Sequence, residues 1–341
     1  MLAAVTIWRF PLKIIVDAMG GDHAPESIVA GVVEAIKEFD VDIALIGQED
    51  RVKSELSKYE IPSGRIEIIH AAEVITMHEP ATVSLRQKKN SSISEGVKLL
   101  KDAQYDAFIS AGNTGAVVAA STIFLGMLEG VARPAIGLTL PTVSRFSFLI
   151  DVGANAEPKP EHLVQSAQMG SIYVRDILRV KNPTVGLLNI GEEASKGSIF
   201  SKETYKLMDG CLENFIGNIE ANEVFSGKCD CIVSDGVIGN VVIKVAQGLM
   251  ESAATLMRRE IKKSPMAVLG AILMKSRLGH IKKLADYSEY GGAPLLGVNG
   301  VVMISHGRSS PKAIKNAIRA TIREVEHNLL AVMTKEVTSV K

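Results

Sequence analysis

Residues 13–25 read KIIVDAMGGDHAP: an apolar run that ends in an aspartate, then a glycine pair and a proline. The same grammar recurs in AFISAGNTG (107–115), FLIDVGANAEPKP (148–160), VGLLNIGEEASKG (185–197), CIVSDGVIGN (231–240) and VVMISHGRSSP (301–311). In each, a short apolar run gives way to a small polar loop and then to a helical pattern. Units of this kind stack into a parallel sheet whose loops gather at the strand carboxyl ends, where open α/β sheets bind ligands. The loops carry Asp, Asn, Lys, His and Ser but few aromatics. That chemistry suits a small anionic oxygen ligand, with phosphate the first candidate.

Outward from the first unit, Ile14, Ile15 and Val16 are three consecutive β-branched residues and predict a strand at 13–17 buried on both faces. Pro25 fits the start of a helix, and Ile28, Val32, Ala35 and Ile36 follow at helical spacing over 27–39. A strand at 42–46, a helix at 50–59 and a strand at 66–70 continue the alternation. Further on, Pro158 and Pro160 precede an apolar helix at 162–178. Ser310 is a good N-cap, with Pro311 as the first helical residue.

The chain has 341 residues and is 47% hydrophobic, enough for two domains or one large α/β unit. Lys+Arg and Asp+Glu balance at 38 each, which excludes the global basic field of a nucleic-acid binder. Cys211, Cys229 and Cys231 are an odd set without a CxxC pair, so a reducing cytoplasm fits better than a disulfide scaffold. Cys229 and Cys231 read as core residues sharing a strand face. No apolar run approaches the ~20 residues that span a bilayer. Residues 1–12 are apolar but lack a basic leader and a cleavage site, and read as an extension ahead of the domain.

Residues 71–95 break the alternation and bring Arg86, Lys88, Lys89, Asn90, Ser91 and Ser92 close together. A solvated helix end is one reading; an anion clamp laid over the sheet edge is the other. A second departure is LMRREIKKSPMAVLGAILMKSRLGHIKK (256–283), in which basic clusters flank an apolar centre at 266–274. Ser264-Pro265 separates two helices there. Such a hairpin packs in a dimer interface, rests on an anionic membrane or docks an acidic carrier protein.

SAGNTGA (110–116) is a candidate phosphate cradle that opens onto a helix N-terminus, but it is neither a Walker A loop nor a G-x-G-x-x-G fingerprint. Asp17, Asp151 and Asp235 each sit at a strand end; they accept loop N–H bonds or share a Mg²⁺ ion, and the first is favoured because no D-x-D or E-x-x-H pairing accompanies these three residues. His23 and His306 occupy two of the loops and are acid or anion-contact candidates. Lys196 binds an anion or pairs with Glu192 or Glu193, and Lys244 bonds back to a loop or reaches the cleft. There is no G-x-S-x-G elbow and no Ser-His-Asp or Cys-His set; were the reaction an acyl transfer, direct attack by a bound nucleophile would be favoured over a covalent acyl-enzyme.

DAMGGDHAP (17–25), HAAEVITM (70–77), LRQKKNSS (85–92), SAGNTGA (110–116), RPAI (133–136), DVGAN (151–155), LLNIGEEASKG (187–197), NFIGNIE (214–220), DGVIGNVVIK (235–244), GGAPLLGVNG (291–300) and SHGRSS (305–310) occur in this order. The set resembles the PlsX family, the acyl-acyl carrier protein:phosphate acyltransferases of bacterial phospholipid synthesis. It covers a catalytic domain at 13–330, with a hairpin tip at about 256–285 and a tail at 331–341. The chain departs from the family pattern at Val237, where an aromatic is usual, at Ser84, and at Ala156-Glu157.

The resemblance implies a doubly wound, three-layer α/β/α fold similar to phosphate acetyltransferases and to the isocitrate/isopropylmalate dehydrogenase group. It implies that inorganic phosphate attacks the thioester of a long-chain acyl carrier protein, giving acyl phosphate and free carrier; no cofactor and no metal-ligating residue is assigned. It further implies a homodimer, cytoplasmic and peripherally associated with the inner face of the cell membrane, that hands acyl phosphate to a membrane glycerol-3-phosphate acyltransferase. On this footing Arg86, Lys88, Lys89, Ser91, Ser92, Thr114 and Gly115 are expected to hold phosphate. Asn113, Asn155 and Lys196 are expected at the reacting groups, and His23 or His306 protonates the departing thiolate. Met266, Leu269, Ile272 and Leu273 are expected to meet membrane or carrier. A coenzyme A-dependent phosphate acyltransferase, a dehydrogenase of the same fold group and a non-catalytic carrier-binding protein are the alternatives.

Overall fold

The computed structural model describes residues 11–277 and 291–337. The chain divides into two compact units, Met1–Gly126 with Val298–Leu330, and Met127–Gly297 with Ala331–Lys341. Three of the six glycine-rich loops fall in each. The extension expected at 1–12 lies outside the described residues except for its last two positions, as does the end of the tail.

In the first unit the chain runs β1 (Leu12–Asp17), α1 (Glu26–Glu38), β2 (Val41–Gly47), α2 (Glu49–Leu56), β3 (Ile66–His70), α3 (Ala81–Gln87), α4 (Ser92–Lys101), β4 (Ala107–Ser110) and α5 (Thr114–Ala120). It returns as β11 (Val301–Ile304) and α10 (Pro311–Glu326). The strands are parallel in the order β3-β2-β1-β4-β11. Ile14 and Val16 join Ile28, Val32 and Ile36 of α1 and Ile314 and Ile318 of α10 in one core. Phe108 of β4 instead lies against Gly96 of α4. The β-branched run therefore sits under cover on both faces, as its composition predicts. Ser310 caps α10 by accepting from the Ala313 amide, with Pro311 in its first turn.

In the second unit the elements are β5 (Ala135–Pro141), β6 (Phe146–Ile150), α6 (Pro160–Asp176), β7 (Val185–Asn189), α7 (Ile199–Cys211), β8 (Phe215–Glu220), β9 (Cys231–Val233), α8 (Gly236–Ile261), α9 (Pro265–Leu273) and β10 (Ala293–Leu296). Their strand order is β10-β5-β6-β9-β7-β8. Here the sheet is mixed: β5 runs antiparallel to β6 and to β10. Only residues 142–145 connect β5 to β6, and so short a link allows a hairpin but no parallel crossover. Cys229 falls just before β9 and only Cys231 lies on it; both are buried.

Candidate functional site

From β1 the chain moves outward to β2 and β3, then returns to the other side of β1 as β4. This reversal is a topological switch point, the place in an open α/β sheet where a crevice forms beyond the strand ends. The loops after β1 and β4 meet there with almost no space between them: a Cβ on Gly20 would fall 2.5 Å from the Gly112 nitrogen. Asp17 joins them. Its Oδ1 accepts from the Met19 amide at 3.0 Å and its Oδ2 from the Ser110 hydroxyl at 2.7 Å. Ser110 Oγ in turn accepts from the Gly112 amide at 3.0 Å. Burial pushes the Asp17 carboxyl above its ordinary value, against hydrogen bonds from Ser110, Ser92 and the Met19 and Gly20 amides. The β11 loop is tied to the same place by the Asp22 amide, which donates to the Gly307 carbonyl at 2.7 Å.

Asn113 caps α5, its Oδ1 accepting from the Ala116 amide at 3.1 Å. Its Nδ2 donates to the carbonyls of Thr76 at 3.1 Å and Glu79 at 3.0 Å. The whole side-chain amide thus fastens the turn at 76–79 to the start of α5. Glu79 Oε1 accepts from the Thr76 amide at 3.1 Å, the Thr76 hydroxyl at 2.9 Å and Lys88 Nζ at 2.7 Å. Lys88 Nζ also donates to the Val74 carbonyl at 2.7 Å. The Lys88 ammonium beside it, with the Thr76 and Ser84 bonds, lowers the Glu79 carboxyl to about 2. Glu79 was not among the residues expected at the site. Its only signal in the sequence is an acidic residue followed by a proline within the anomalous stretch 71–95.

The structure therefore gives the expected clamp two kinds of residue. Lys88, Ser91, Ser92 and Asn113 have their polar groups engaged inside the protein. Ser91 is fully buried as the N-cap of α4, bonded to the Ser94 amide and hydroxyl, and Ser92 is buried against Asp17. Arg86 and Lys89 are exposed, Thr114 is partly exposed and Gly115 is exposed in the first turn of α5. His23 and His306 are exposed on the β1 and β11 loops, and His306 Nδ1 accepts from the Arg308 amide at 3.1 Å.

The second unit builds its loops around another aspartate. Asp151 accepts from the amides of Ile136, Gly153, Ala154 and Asn155 at 2.8–3.1 Å, and from Asn155 Nδ2 at 3.0 Å. Asn155 Nδ2 also donates to the Pro134 carbonyl at 2.6 Å. Asp235 caps α8, accepting from the Val237 and Ile238 amides at 2.9 Å. All three strand-end aspartates thus accept loop donors, and no cluster that could hold a metal ion occurs among the described residues. Lys196 is exposed and 4.0 Å from Glu193, and Lys244 is exposed on α8. Burial pushes the Cys229 thiol up to about 12 and the Cys231 thiol well above its ordinary value, so neither is a thiolate near neutral pH.

Beyond this loop, α8 leaves Val241, Val245 and Leu249 exposed along one side. Ser264 caps α9, which buries none of its side chains; Met266, Leu269, Ile272 and Leu273 are all exposed. The remainder of the expected hairpin beyond residue 277, with Lys282 and Lys283, lies outside the described residues. No described helix is long and apolar enough to cross a membrane.

The fold is that of the phosphotransacetylases and their dehydrogenase-like neighbours. A phosphotransacetylase from Streptococcus pyogenes superposes with a TM-score of 0.63 at 18% identity, covering 92% of this chain and 94% of the other. A 4-hydroxythreonine-4-phosphate dehydrogenase from Klebsiella pneumoniae gives 0.53 at 11%, covering 93% and 100%. In sequence, residues 12–332 match the family described as fatty acid synthesis protein. The chain is 47% identical to a phosphate acyltransferase of Dictyoglomus turgidum over 92% of its length and 94% of the relative's, and 46% identical to one of Alkaliphilus oremlandii over 96% and 98%. The chain belongs to this family, the PlsX family, and is an acyltransferase.

Proposed function

We propose that this chain transfers a long-chain acyl group from acyl carrier protein to inorganic phosphate. The near full-length match to relatives named phosphate acyltransferase carries this reading. A phosphate oxygen attacks the thioester carbonyl carbon; the C–O bond forms, the C–S bond breaks, and the carrier thiolate leaves and takes up a proton. Phosphate dianion is a nucleophile near neutral pH and a thiolate of cysteine-like pKa, ~8.5, leaves readily, so positioning and charge are the protein's main contributions. The buried, protonated Cys229 and Cys231 favour this direct attack over an acyl-cysteine.

In this reading Arg86, Lys89 and the Thr114 and Gly115 amides meet the phosphate. Asn113 and Asn155, whose amides are already engaged, act by holding loop N–H groups where the oxyanion develops. Lys196 supplies a further cation to the anionic substrates. His23 or His306, as the imidazolium, gives its proton to the departing thiolate and is left neutral. The exposed apolar sides of α8 and α9 suit a homodimer and a peripheral seat on the inner face of the cell membrane. That seat would let the enzyme pass acyl phosphate to a membrane glycerol-3-phosphate acyltransferase.

The test incubates purified protein with palmitoyl-acyl carrier protein and phosphate, follows carrier thiol release and traps acyl phosphate with hydroxylamine. Phosphate-dependent release with matching hydroxamate is the expected result. Release only from palmitoyl-coenzyme A would replace the donor, and release from neither would remove the reading.

A further inference from the structure

We propose that Glu79 is a positioning residue for phosphate binding: its carboxylate latches the end of α3 to the turn at 76–79, and Lys88 is the other half of that latch, not a phosphate ligand. The assay rests on the phosphate-transfer reading above; the geometry does not.

Lys88 is the C-terminal cap of α3, and its ammonium reaches back to Glu79 Oε1 and the Val74 carbonyl, both at 2.7 Å. The same carboxylate oxygen takes both donors of Thr76. Asn113 then fastens the Thr76 and Glu79 carbonyls to the start of α5. At the other end of α3, the Ala81 Cβ is 3.0 Å from where a Cβ on Gly115 would lie. The short helix α3 is thereby held against α5, with Arg86 in its last turn and Lys89 just beyond the latch. The Lys88 ammonium has two of its three donors on the Val74 carbonyl and the Glu79 carboxylate, which offsets its charge, whereas Arg86 and Lys89 are exposed. The low value of the Glu79 carboxyl, about 2, agrees with an ion pair kept throughout the physiological range.

The two roles for Lys88 predict opposite behaviour for its partner. If Lys88 held phosphate, E79Q would free the cation and leave the phosphate KM unchanged or lower. As a latch, E79Q and K88Q each raise the phosphate KM by about tenfold, the size of one lost charge-assisted bond, with a smaller change in kcat. The double variant is then no worse than either alone, and the exchange E79K/K88E recovers most of the loss. Each variant is first checked for cooperative urea unfolding. T76A, which removes only one hydroxyl donor to the same oxygen, shifts KM in the same direction and serves where E79Q does not fold. An unchanged or lowered KM in E79Q, additive losses, or no recovery on exchange overturns the latch. Wild-type protein assayed alongside keeps the cases apart: no phosphate-dependent thiol release by wild type removes the acyl-transfer reading, while wild-type activity with indifferent variants removes the latch alone.

Discussion

The Ser110 hydroxyl donates to Asp17 Oδ2 at 2.7 Å, joining the ends of β4 and β1, 93 positions apart in the chain. Asp17 is 1% exposed, and burial raises its folded-state pKa above the ordinary 3.8. Below the unfolded value the carboxyl is protonated in both states and its contribution is fully present. As pH rises the unfolded chain ionises first, so the contribution is lost through the folded pKa. D17N does not titrate. Relative to wild type it should therefore gain stability as pH rises above the ordinary value of 3.8, whatever its absolute offset. Urea denaturation across that range checks the slope; parallel curves for the two proteins would refute a raised Asp17.

Glu79 titrates in the opposite sense. Its folded value lies near 2 against an ordinary 4.5, because Lys88 and Thr76 stabilise the carboxylate. Its contribution is present above the unfolded value and is lost as pH falls from about 4.5 through about 2. Wild type should lose more stability than E79Q over that window. Side-chain carboxyl NMR of Glu79 reads the same shift directly, and a midpoint near 4.5 would contradict it.

The strand–loop–helix rhythm was legible because burial on both faces demands runs such as Ile14-Ile15-Val16, and because Pro and capping residues mark helix starts. The hairpin of β5 and β6 was not, since its meaning lies in the short Thr142–Arg145 link and not in any hydrophobic period. At the site, residue type located the loops but not each side chain's partner. Lys88 and Asn113 have the chemistry of anion ligands, yet a carboxylate and two carbonyls brought in by the turn at 76–79 occupy them. Those contacts depend on where α3 folds back, and α3 interrupts the periodic pattern from which the other elements were read.

Gly137 tests how tightly β5 is packed against β6. A Cβ there would fall 2.0 Å from Phe148 Cζ, and Phe148 is fully buried and stacked on Tyr173 at 4.5 Å between ring centres. The ring cannot turn away without losing that stack. G137A should cost about 1–3 kcal/mol by overpacking. G137A/F148L, which shortens the side chain, should cost less than the sum of the single changes. Urea midpoints for the four proteins decide it; additive losses would mean that the methyl group is accommodated elsewhere.

The exposed side of α9 gives the sharpest test of the proposed membrane seat. Leu269 is 52% and Ile272 62% exposed on a helix that buries none of its side chains, and Arg258, Arg259, Lys262 and Lys263 precede it. Apolar insertion and attraction to anionic lipid reinforce each other in such an arrangement. L269D/I272D removes the first and opposes the second. Flotation with vesicles containing phosphatidylglycerol should move wild type to the lipid fraction and leave the variant in solution. Neither residue is placed at the reacting groups, so thiol release from soluble substrate should persist. Size-exclusion chromatography with light scattering separates the dimer from the membrane: a variant that leaves the vesicles and remains dimeric puts α9 on the lipid. One that becomes monomeric puts α9 between subunits, and one that stays on the vesicles removes α9 from the membrane contact altogether.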